Sequence, residues 1–185
     1  MVRMPSPSRI VIGVAGRIGS GKSMVARTME REFGFQYLRY SRVIAEWFAV
    51  DPEDKFRLQA IGGNVMSGAG QRELNRRLIA QIRPDADAAV DGLRHPIDHE
   101  SLLNAFGARY ALIFIETPPE IRRSRTSHRY KTNAEFLAAD SRPVEGNIDQ
   151  LKPMAVEVIS GTMDDAQLKA DLQRIIGTVR QRKEK

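Results

Sequence analysis

The segment between residues 16 and 23 constrains the fold of this chain most strongly. It reads Gly-Arg-Ile-Gly-Ser-Gly-Lys-Ser and matches the phosphate-binding loop pattern G-x-x-x-x-G-K-[ST] at every fixed position. Residues 9–15, just before it, form a short β-branched run that is typical of a buried parallel strand. Residues 24–33 contain neither Pro nor Gly and favour a helix. Strand, glycine loop and helix in this order predict a nucleotide-binding loop.

The residue types of this loop have distinct expected tasks. Glycine adopts backbone angles that bring N–H groups close to phosphate oxygens, and the helix that follows points its positive end at the same oxygens. Lys22 is expected to reach the β- and γ-phosphates of ATP, and the Ser23 hydroxyl to ligate Mg²⁺. A purely structural glycine turn would need no Lys-Ser pair. The predicted nucleotide-binding residues are Gly16, Arg17, Ile18, Gly19, Ser20, Gly21, Lys22, Ser23 and Met24, together with Arg122.

Composition narrows the class of protein. The 185 residues, of which 42% are hydrophobic and 28% charged, have the balance of a single soluble domain. No apolar run approaches the roughly 18 residues that a membrane span needs, and the first apolar stretch continues into the loop, which argues against a cleaved signal. The chain has no cysteine, so disulfides and thiolate metal sites are excluded. We therefore expect a cytoplasmic protein.

The net charge of +6 raises the question of a nucleic-acid partner. Basic residues concentrate between residues 122 and 131 and in the tail, 180–185. A triphosphate ligand requires such a cluster as well, so excess positive charge discriminates weakly between the two. We expect a small-molecule acceptor, no nucleic-acid partner, and a monomer or homodimer.

The order of predicted elements indicates a three-layer α/β fold. Strands are predicted at 9–15, 35–40, 86–90, 109–116 and 156–159; helices are predicted at 24–33, 42–50, 53–61, 71–82, 96–106, 133–141 and 164–180, with a further helix opened by Thr117. Gly62-Gly63 and Ser67-Gly68-Ala69-Gly70 are expected to separate two of these helices. Strands that alternate with helices predict a parallel five-stranded sheet with helices on both faces.

A second set of polar residues follows the later strands. Asp91 ends a predicted strand, where a P-loop enzyme keeps an acid for Mg²⁺, although an Asp-Gly turn is the alternative. Arg94 lies three residues after Asp91, which is close enough for its guanidinium to bind a substrate phosphate through two hydrogen bonds. Arg122, Arg125 and Arg129 have the spacing of one helical face, which indicates either a solvated basic face or an arginine lid that closes over the transferring phosphoryl group.

Together these motifs resemble the P-loop kinase group that includes adenylate kinase and other nucleoside monophosphate kinases, dephospho-CoA kinase and phage deoxynucleoside monophosphate kinases. The segment from Ala15 to Ser23 is similar to the phosphate-binding loop of dephospho-CoA kinase. Val90-Asp-Gly-Leu-Arg94 resembles the Asp-Gly-Phe-Pro-Arg segment of adenylate kinase, whose arginine meets the acceptor phosphate. Leu58-Gln59-Ala-Ile-Gly62 is similar to a segment of the phage enzymes, residues 116–122 resemble the start of a lid, and residues 158–162 the adenine-side strand and loop. The resemblance covers about residues 9–178.

One departure from this group bears on the acceptor. Dephospho-CoA kinases carry a general-base aspartate after the second strand, whereas the segment here, residues 38–42, contains no acid. A phosphate monoester is already anionic and needs no strong base. The resemblance thus implies an ATP- and Mg²⁺-dependent kinase that phosphorylates a nucleoside monophosphate, with deoxynucleotides among the candidates. A hydroxyl acceptor with Asp91 as base, and a nucleotide-binding regulatory or nucleic-acid-associated ATPase, are the alternatives.

The expected organisation is a single domain, 1–185. Its parts are a core at 9–40 and 84–180, an acceptor-binding insertion at 41–83, a lid at about 122–145 and a flexible basic tail at 180–185. The expected catalytic residues are Lys22, Asp91, Arg94, Arg125 and Arg129; the expected metal ligands are Ser23 and Asp91; the expected acceptor-binding residues are Arg39, Arg42, Gln59 and Arg94.

Overall fold

The fold is built on a parallel sheet. The computed structural model describes residues 9–66 and 70–182, without the side chains at positions 55, 56, 59 and 66. Within these ranges the strands are β1 (Val11–Ala15), β2 (Gln36–Arg39), β3 (Ala88–Leu93), β4 (Tyr110–Glu116) and β5 (Glu157–Ser160). All neighbouring strands are parallel, in the order β2-β3-β1-β4-β5. The predicted five-stranded α/β sheet is confirmed.

Helices cover both faces of this sheet. They are α1 (Lys22–Phe33), α2 (Tyr40–Phe48), α3 (Lys55–Met66), α4 (Gly70–Ala80), α5 (Pro96–Phe106), α6 (Pro119–Arg125), α7 (Asn133–Asp140), α8 (Pro143–Asp149) and α9 (Asp165–Gln181), with single 3₁₀ turns at Gly107–Arg109 and Lys152–Met154. Most predicted boundaries lie within about two residues of these. Residues 143–149 carried no helix prediction. Within the described ranges, no helix has the length and apolar character needed to cross a membrane.

The core consists of two clusters, one on each face of the sheet. Alternate residues of β4 enter different clusters: Leu112 and Phe114 pack on the side of α2, α4 and α5, whereas Ile113 and Ile115 pack on the side of α1 and α9. Successive side chains of a strand point to opposite faces. This explains why β4 is apolar at every position from Tyr110 to Ile115, as is usual for a strand that is covered on both faces.

Strand β3 extends further than the sequence predicted. It runs through Asp91 and Gly92 to Leu93, rather than ending at residue 90. Asp91 is in register with Arg39 of β2, and the register with β1 shifts after Asp91. Gly92 has a φ of 92°, a conformation that favours glycine and allows this irregularity. Asp91 therefore lies within the sheet, and the alternative of an isolated Asp-Gly turn is wrong.

The predicted break at Gly62-Gly63 is also wrong, because α3 continues through both glycines to Met66. Of the other predicted break, residues 67–70, the first three residues lie outside the described part of the chain, and α4 begins at Gly70. Gly62 is buried, and a Cβ there would lie 3.6 Å from the Ile44 side chain of α2. Glycine within a helix costs about 1 kcal/mol relative to alanine. Packing of α3 on α2 offsets this cost, so Gly62 belongs to a helix–helix contact.

The carboxyl ends of all five strands meet at one edge of the sheet. The loop of residues 16–21 follows β1, which lies in the middle of the sheet between β3 and β4. Arg39 ends β2, Arg94 follows β3, and Gly161 follows β5. Ligands of open α/β sheets bind at this edge. The fold thus gathers the predicted site residues of several distant segments around the loop.

Candidate active site

The glycine loop wraps around the start of α1. Gly19 has a φ of 76° and Gly21 a φ of 97°, both in the region that favours glycine. A Cβ on Gly19 would lie 2.7 Å from the carbonyl oxygen of Arg122, so only glycine fits there. Gly21 caps α1 without a side-chain hydrogen bond. The backbone N–H groups at this helix start therefore have the geometry that the predicted anion-binding role requires.

Lys22 is the first residue of α1 and is partly buried under the loop. Its Nζ lies 3.4 Å from the carbonyl oxygen of Arg17. Burial, and next the nearby Arg94 guanidinium, lower the pKa of Lys22 to about 8, although the charges of Asp91 and Glu145 act in the opposite direction. Lys22 therefore lies close to three charged residues from distant segments, Asp91, Arg94 and Glu145.

Asp91 joins the loop to the neighbouring strands. Its Oδ2 accepts hydrogen bonds from Ser23 Oγ at 2.6 Å and from the Tyr37 hydroxyl at 2.8 Å, and lies 3.8 Å from Arg39 Nε. Burial, and next the Asp91 charge, raise the pKa of Tyr37 to about 12, so this hydroxyl remains a donor. The structure thus brings both predicted metal ligands together. Tyr37 was missed, because a tyrosine in a strand gives no signal beyond β-propensity.

The donor set around Asp91 fits Mg²⁺. The carboxylate is 1% exposed, and its Oδ1 has no hydrogen-bond partner among the described residues. A buried carboxylate oxygen without a partner is costly unless a ligand satisfies it. Within the described chain, no group of three or more His, Cys, Asp or Glu side chains could hold a metal. Mg²⁺ takes one or two protein oxygens and completes its shell with phosphates and water, and the Ser23 hydroxyl and Asp91 carboxylate are oxygen donors of that kind.

Arg94 follows β3, and its backbone is held by Asp98 of α5. The N–H groups of Arg94 and His95 both donate to Asp98 Oδ2 at 3.0 Å. Asp98 Oδ1 accepts from the side chains of Gln71 and Asn75 of α4. The Arg94 side chain is 40% exposed, and its Nη1 lies 3.6 Å from Glu145 Oε1. Asp98 therefore fixes the backbone of residues 94 and 95, while the Arg94 guanidinium extends towards Glu145 beside the glycine loop.

Glu145 is a site residue that the sequence analysis missed. It lies in α8, is 2% exposed, and its Oε2 accepts a hydrogen bond of 3.0 Å from the backbone N–H of Ile18 in the loop. The helix begins with Pro143, and Glu145 is in its first turn, a pattern that is typical of helix starts. That signal could have predicted α8, but not its contact with the loop.

Two arginines, Arg17 and Arg122, connect helices α7 and α8 to the glycine loop. Arg122 is buried and pairs with both carboxylate oxygens of Asp140, at 2.6 and 3.0 Å, while also donating to the backbone oxygens of Thr117 and Ile18. Arg17 lies 2.9 Å from Asp140 and makes two hydrogen bonds to Asp149. Both guanidiniums are thus already paired with carboxylates of α7 and α8.

The prediction that Arg122, Arg125 and Arg129 share one helical face is wrong. Helix α6 ends at Arg125, and Arg129 lies beyond it in a turn. Thr126 Oγ1 donates to the backbone oxygen of Arg122, and a threonine side chain that bonds to nearby carbonyls competes with helix continuation. Arg125 instead donates to the backbone oxygens of Ser20 and Gly161, at 3.3 and 2.7 Å. It bridges the loop and the end of β5.

The remaining predicted residues have varied positions. Arg42 is exposed on α2, and Met24 is 48% exposed at the start of α1. Ser20 is buried, and its Oγ has no hydrogen-bond partner among residues 9–66 and 70–182. The side chain of Gln59 and residues 183–185 of the predicted tail lie outside the described part of the chain.

Comparisons with known proteins identify relatives of low sequence identity. No protein-family model matches the chain. It is 24% identical over 176 residues to a UPF0200 protein of Aeropyrum pernix, covering 90% of this chain and 93% of the relative. It is 25% identical over 178 residues to a UPF0200 protein of Pyrobaculum aerophilum, covering 90% of this chain and 96% of the relative.

Solved structures share the fold over almost the whole chain. TT1252 from Thermus thermophilus has a TM-score of 0.60 at 21% identity, covering 92% of this chain and 97% of its own. Shikimate kinase from Acinetobacter baumannii in complex with shikimate has a TM-score of 0.60 at 18% identity, covering 94% and 98%. A gluconokinase from Sinorhizobium meliloti has a TM-score of 0.58 at 14% identity, covering 95% and 97%. The chain thus has an α/β fold that solved small-molecule kinases share.

Proposed function

We propose that this protein is an ATP-dependent phosphotransferase that moves the γ-phosphoryl group of ATP to a small acceptor. The observation that carries the proposal is the 2.6 Å hydrogen bond between Ser23 Oγ and Asp91 Oδ2, next to Lys22 and the glycine loop. Loop N–H groups and Lys22 would bind the phosphates. Ser23 and Asp91 would hold Mg²⁺, which neutralises phosphate charge when bound.

The nucleotide would extend from the loop towards the end of β5. Arg125 supports this direction, because it contacts Ser20 of the loop and Gly161 after β5. A Cβ on Gly161 would overlap Thr117 Oγ1 and the backbone oxygen of Ser20, so the two segments approach as closely as glycine allows. Arg129 stays a proposed lid residue in the turn after α6. We propose that Arg125 contacts the phosphates and that residues 160–162 border the base.

We propose a nucleoside monophosphate as the acceptor. Arg39 and Arg94 have side chains that are 44% and 40% exposed and lie on the same sheet edge as Asp91. Guanidinium groups are suited to binding phosphate through two parallel hydrogen bonds. Arg42 would assist them, and Gln59 stays a proposed base contact. An anionic phosphate oxygen needs no strong base to attack the γ-phosphorus.

A hydroxyl acceptor is the second candidate, and one observation favours it. Two carboxylates, Asp91 and Glu145, lie beside Lys22, and either is a candidate base for a hydroxyl. One of the solved structures that shares this fold is a shikimate kinase in complex with shikimate. Dephospho-CoA and nucleosides belong to the same class of hydroxyl acceptors.

Measuring ADP release from ATP and Mg²⁺ tests both candidates. The acceptor panel consists of ribo- and deoxyribonucleoside monophosphates, dephospho-CoA, nucleosides, shikimate and gluconate. We expect a monophosphate to accelerate ADP release at least tenfold, and Lys22→Ala to abolish the acceleration. Lys169→Ala is the matched control, because this lysine of α9 is partly exposed and pairs with Glu32 and Asp165, not with residues of the loop. ADP release that no acceptor accelerates would disprove the proposal.

A further inference from the structure

The Glu145 carboxylate lies among groups that the proposed function assigns to phosphate binding. Its Oε2 accepts the N–H of Ile18, and its Oε1 is 3.6 Å from Arg94 Nη1. Its charge also acts on Lys22. A loop amide, a lysine and an arginine are the groups with which P-loop enzymes bind a terminal phosphate. In this structure the Glu145 carboxylate lies among these three groups.

The segment that carries Glu145 is attached to the loop at further points. We call residues 140–149, with Asp140, Glu145 and Asp149, the acidic strap. Asp140 and Asp149 both pair with Arg17 of the loop. Asp140 also pairs with Arg122, which is bonded to the backbone oxygen of Ile18. The strap therefore brings three carboxylates to one side of a loop whose expected ligand is a polyanion.

Electrostatics and geometry make Glu145 the informative member of the strap. Asp149 has a side chain that is 54% exposed, so water screens its charge. Glu145 is buried, and a buried carboxylate interacts strongly with any second anion nearby. A carboxylate and a phosphate oxygen also cannot accept the same N–H of Ile18 in the same direction. The two anions therefore compete.

We propose that Glu145 sets the nucleotide affinity of the site by standing in for the terminal phosphate, so that its carboxylate leaves the Ile18 amide when ATP binds. The inference rests on the proposed function, because it requires that the loop binds ATP. The measured affinity for ATP then includes the cost of moving Glu145. ADP, which lacks the terminal phosphate, does not incur this cost.

The test compares the non-hydrolysable ATP analogue AMP-PNP with ADP, both with Mg²⁺, by isothermal titration calorimetry. In Glu145→Gln the side chain still accepts the Ile18 N–H but has no charge. We expect its Kd for AMP-PNP to fall about tenfold, which is within the range of coupled sites, and its Kd for ADP to change less than twofold. Glu145→Asp, which withdraws the carboxylate by one methylene, should give an intermediate Kd for AMP-PNP.

Glu135→Gln is the matched control. Glu135 is in the neighbouring helix α7, and its carboxylate also accepts backbone N–H groups, those of Lys131 and Thr132, but it is exposed and does not touch the loop. We expect this variant to bind AMP-PNP as the unmodified protein does. Melting temperatures of all variants, measured without nucleotide, establish that each is folded.

Each outcome bears on the inference. An unchanged or higher Kd of Glu145→Gln for AMP-PNP would overturn it, and so would an equal gain for ADP. An unchanged Kd with a large loss of phosphoryl transfer would assign Glu145 as the base for a hydroxyl acceptor instead. Failure of the proposed function is distinguishable, because the unmodified protein would then not bind AMP-PNP, or Lys22→Ala would bind it equally well.

Discussion

Arginines lie within the glycine loop and on both sides of it, and the fold uses two groups of them differently. On the strap side, Arg17 and Arg122 make short, direct ion pairs with Asp140, and Arg122 has a side chain that is only 4% exposed. On the proposed acceptor side, Arg39 and Arg94 remain about 40% exposed, and their paired carboxylates, Asp91 and Glu145, are at 3.8 and 3.6 Å. One group is satisfied by the protein, and the other is available to a ligand.

This difference shows why charge alone is a poor guide to a binding site. An arginine that is buried in a bidentate ion pair with a carboxylate stabilises the fold around it. Removing either partner leaves a buried, unpaired charge, which lowers the stability of the fold. An arginine that lies beyond hydrogen-bond distance from the nearby carboxylates has N–H donors that remain available to an incoming anion. Substitutions of the two groups should accordingly separate stability from activity.

The largest effect is expected for Arg94→Ala. Because the proposed role of Arg94 is to bind the acceptor phosphate, we expect kcat/KM for the acceptor to fall about a thousandfold, as for other phosphate-binding arginines in phosphoryl transfer. The melting temperature should change little, since Arg94 is half-exposed. Arg123→Ala, at an exposed position of α6, is the control. A large fall in melting temperature with intact activity would place Arg94 in the structural group.

The next effect is expected for Arg122→Ala, and it concerns stability. Loss of Arg122 leaves Asp140 with Arg17 alone and removes two hydrogen bonds to backbone oxygens. We expect a loss of about 3 kcal/mol in the free energy of unfolding, which is roughly a 10 °C lower melting temperature. Urea denaturation measures it. Arg31→Ala, which breaks an exposed pair with Glu32, should cost less than about 1 kcal/mol.

The sequence predicted the sheet and the loop because their signals are local. Runs of β-branched residues, the glycine spacing and the Lys-Ser pair each lie within a few positions, and β4 was recognised from one continuous apolar run. The contact between Ser23 and Asp91 was also predictable, since Ser23 follows β1 and Asp91 lies near the carboxyl end of the neighbouring parallel strand β3. Local patterns thus identified the residues at the centre of the site.

The strap could not be predicted in the same way. Glu145 and Ile18 are 127 positions apart, and their contact depends on how α8 packs after several turns. The spacing of Arg122, Arg125 and Arg129 suggested one basic face, but Thr126 ends the helix and Asp140, from another helix, neutralises Arg122. Long-range pairing decides which charges remain available, and one sequence does not specify it.

A smaller effect is expected for Asp98→Asn, which tests how the acceptor side is held. Asp98 accepts the N–H groups of Arg94 and His95, and an amide nitrogen at Oδ2 would face these donors instead of accepting from them. We expect the KM for the acceptor to rise about thirtyfold, within the coupling typical of hydrogen-bonded neighbours, while the Kd for ATP is unchanged.

Asp87→Asn is the control for Asp98→Asn. Asp87 also accepts a backbone N–H, that of Ile10, but at the opposite edge of the sheet. This variant should lower stability without changing the KM for the acceptor. An equal change in KM for both variants would show that Asp98 acts only through general stability.

The smallest effect is the pH dependence of nucleotide binding, and it can separate the two arginine groups without any acceptor. The pKa of Lys22 is about 8, lowered from its ordinary value by burial and then by Arg94. Protonated Lys22 attracts phosphate, so affinity is full below pH 8 and falls as the pH rises through this value. We expect the Kd for AMP-PNP to rise about tenfold between pH 7 and pH 9, the limit for one proton, and Lys22→Arg to abolish the dependence.

Variants of the neighbouring charges then shift this midpoint in opposite directions. Arg94→Ala removes a charge that lowers the pKa of Lys22, so the fall in affinity should begin at higher pH. Glu145→Gln removes a charge that raises it, so the fall should begin at lower pH. Arg122→Ala should leave the midpoint unchanged, because Asp140 already neutralises that guanidinium. Equal shifts for Arg94→Ala and Arg122→Ala would mean that the loop senses both arginines alike, and the distinction between paired and available charge would be lost.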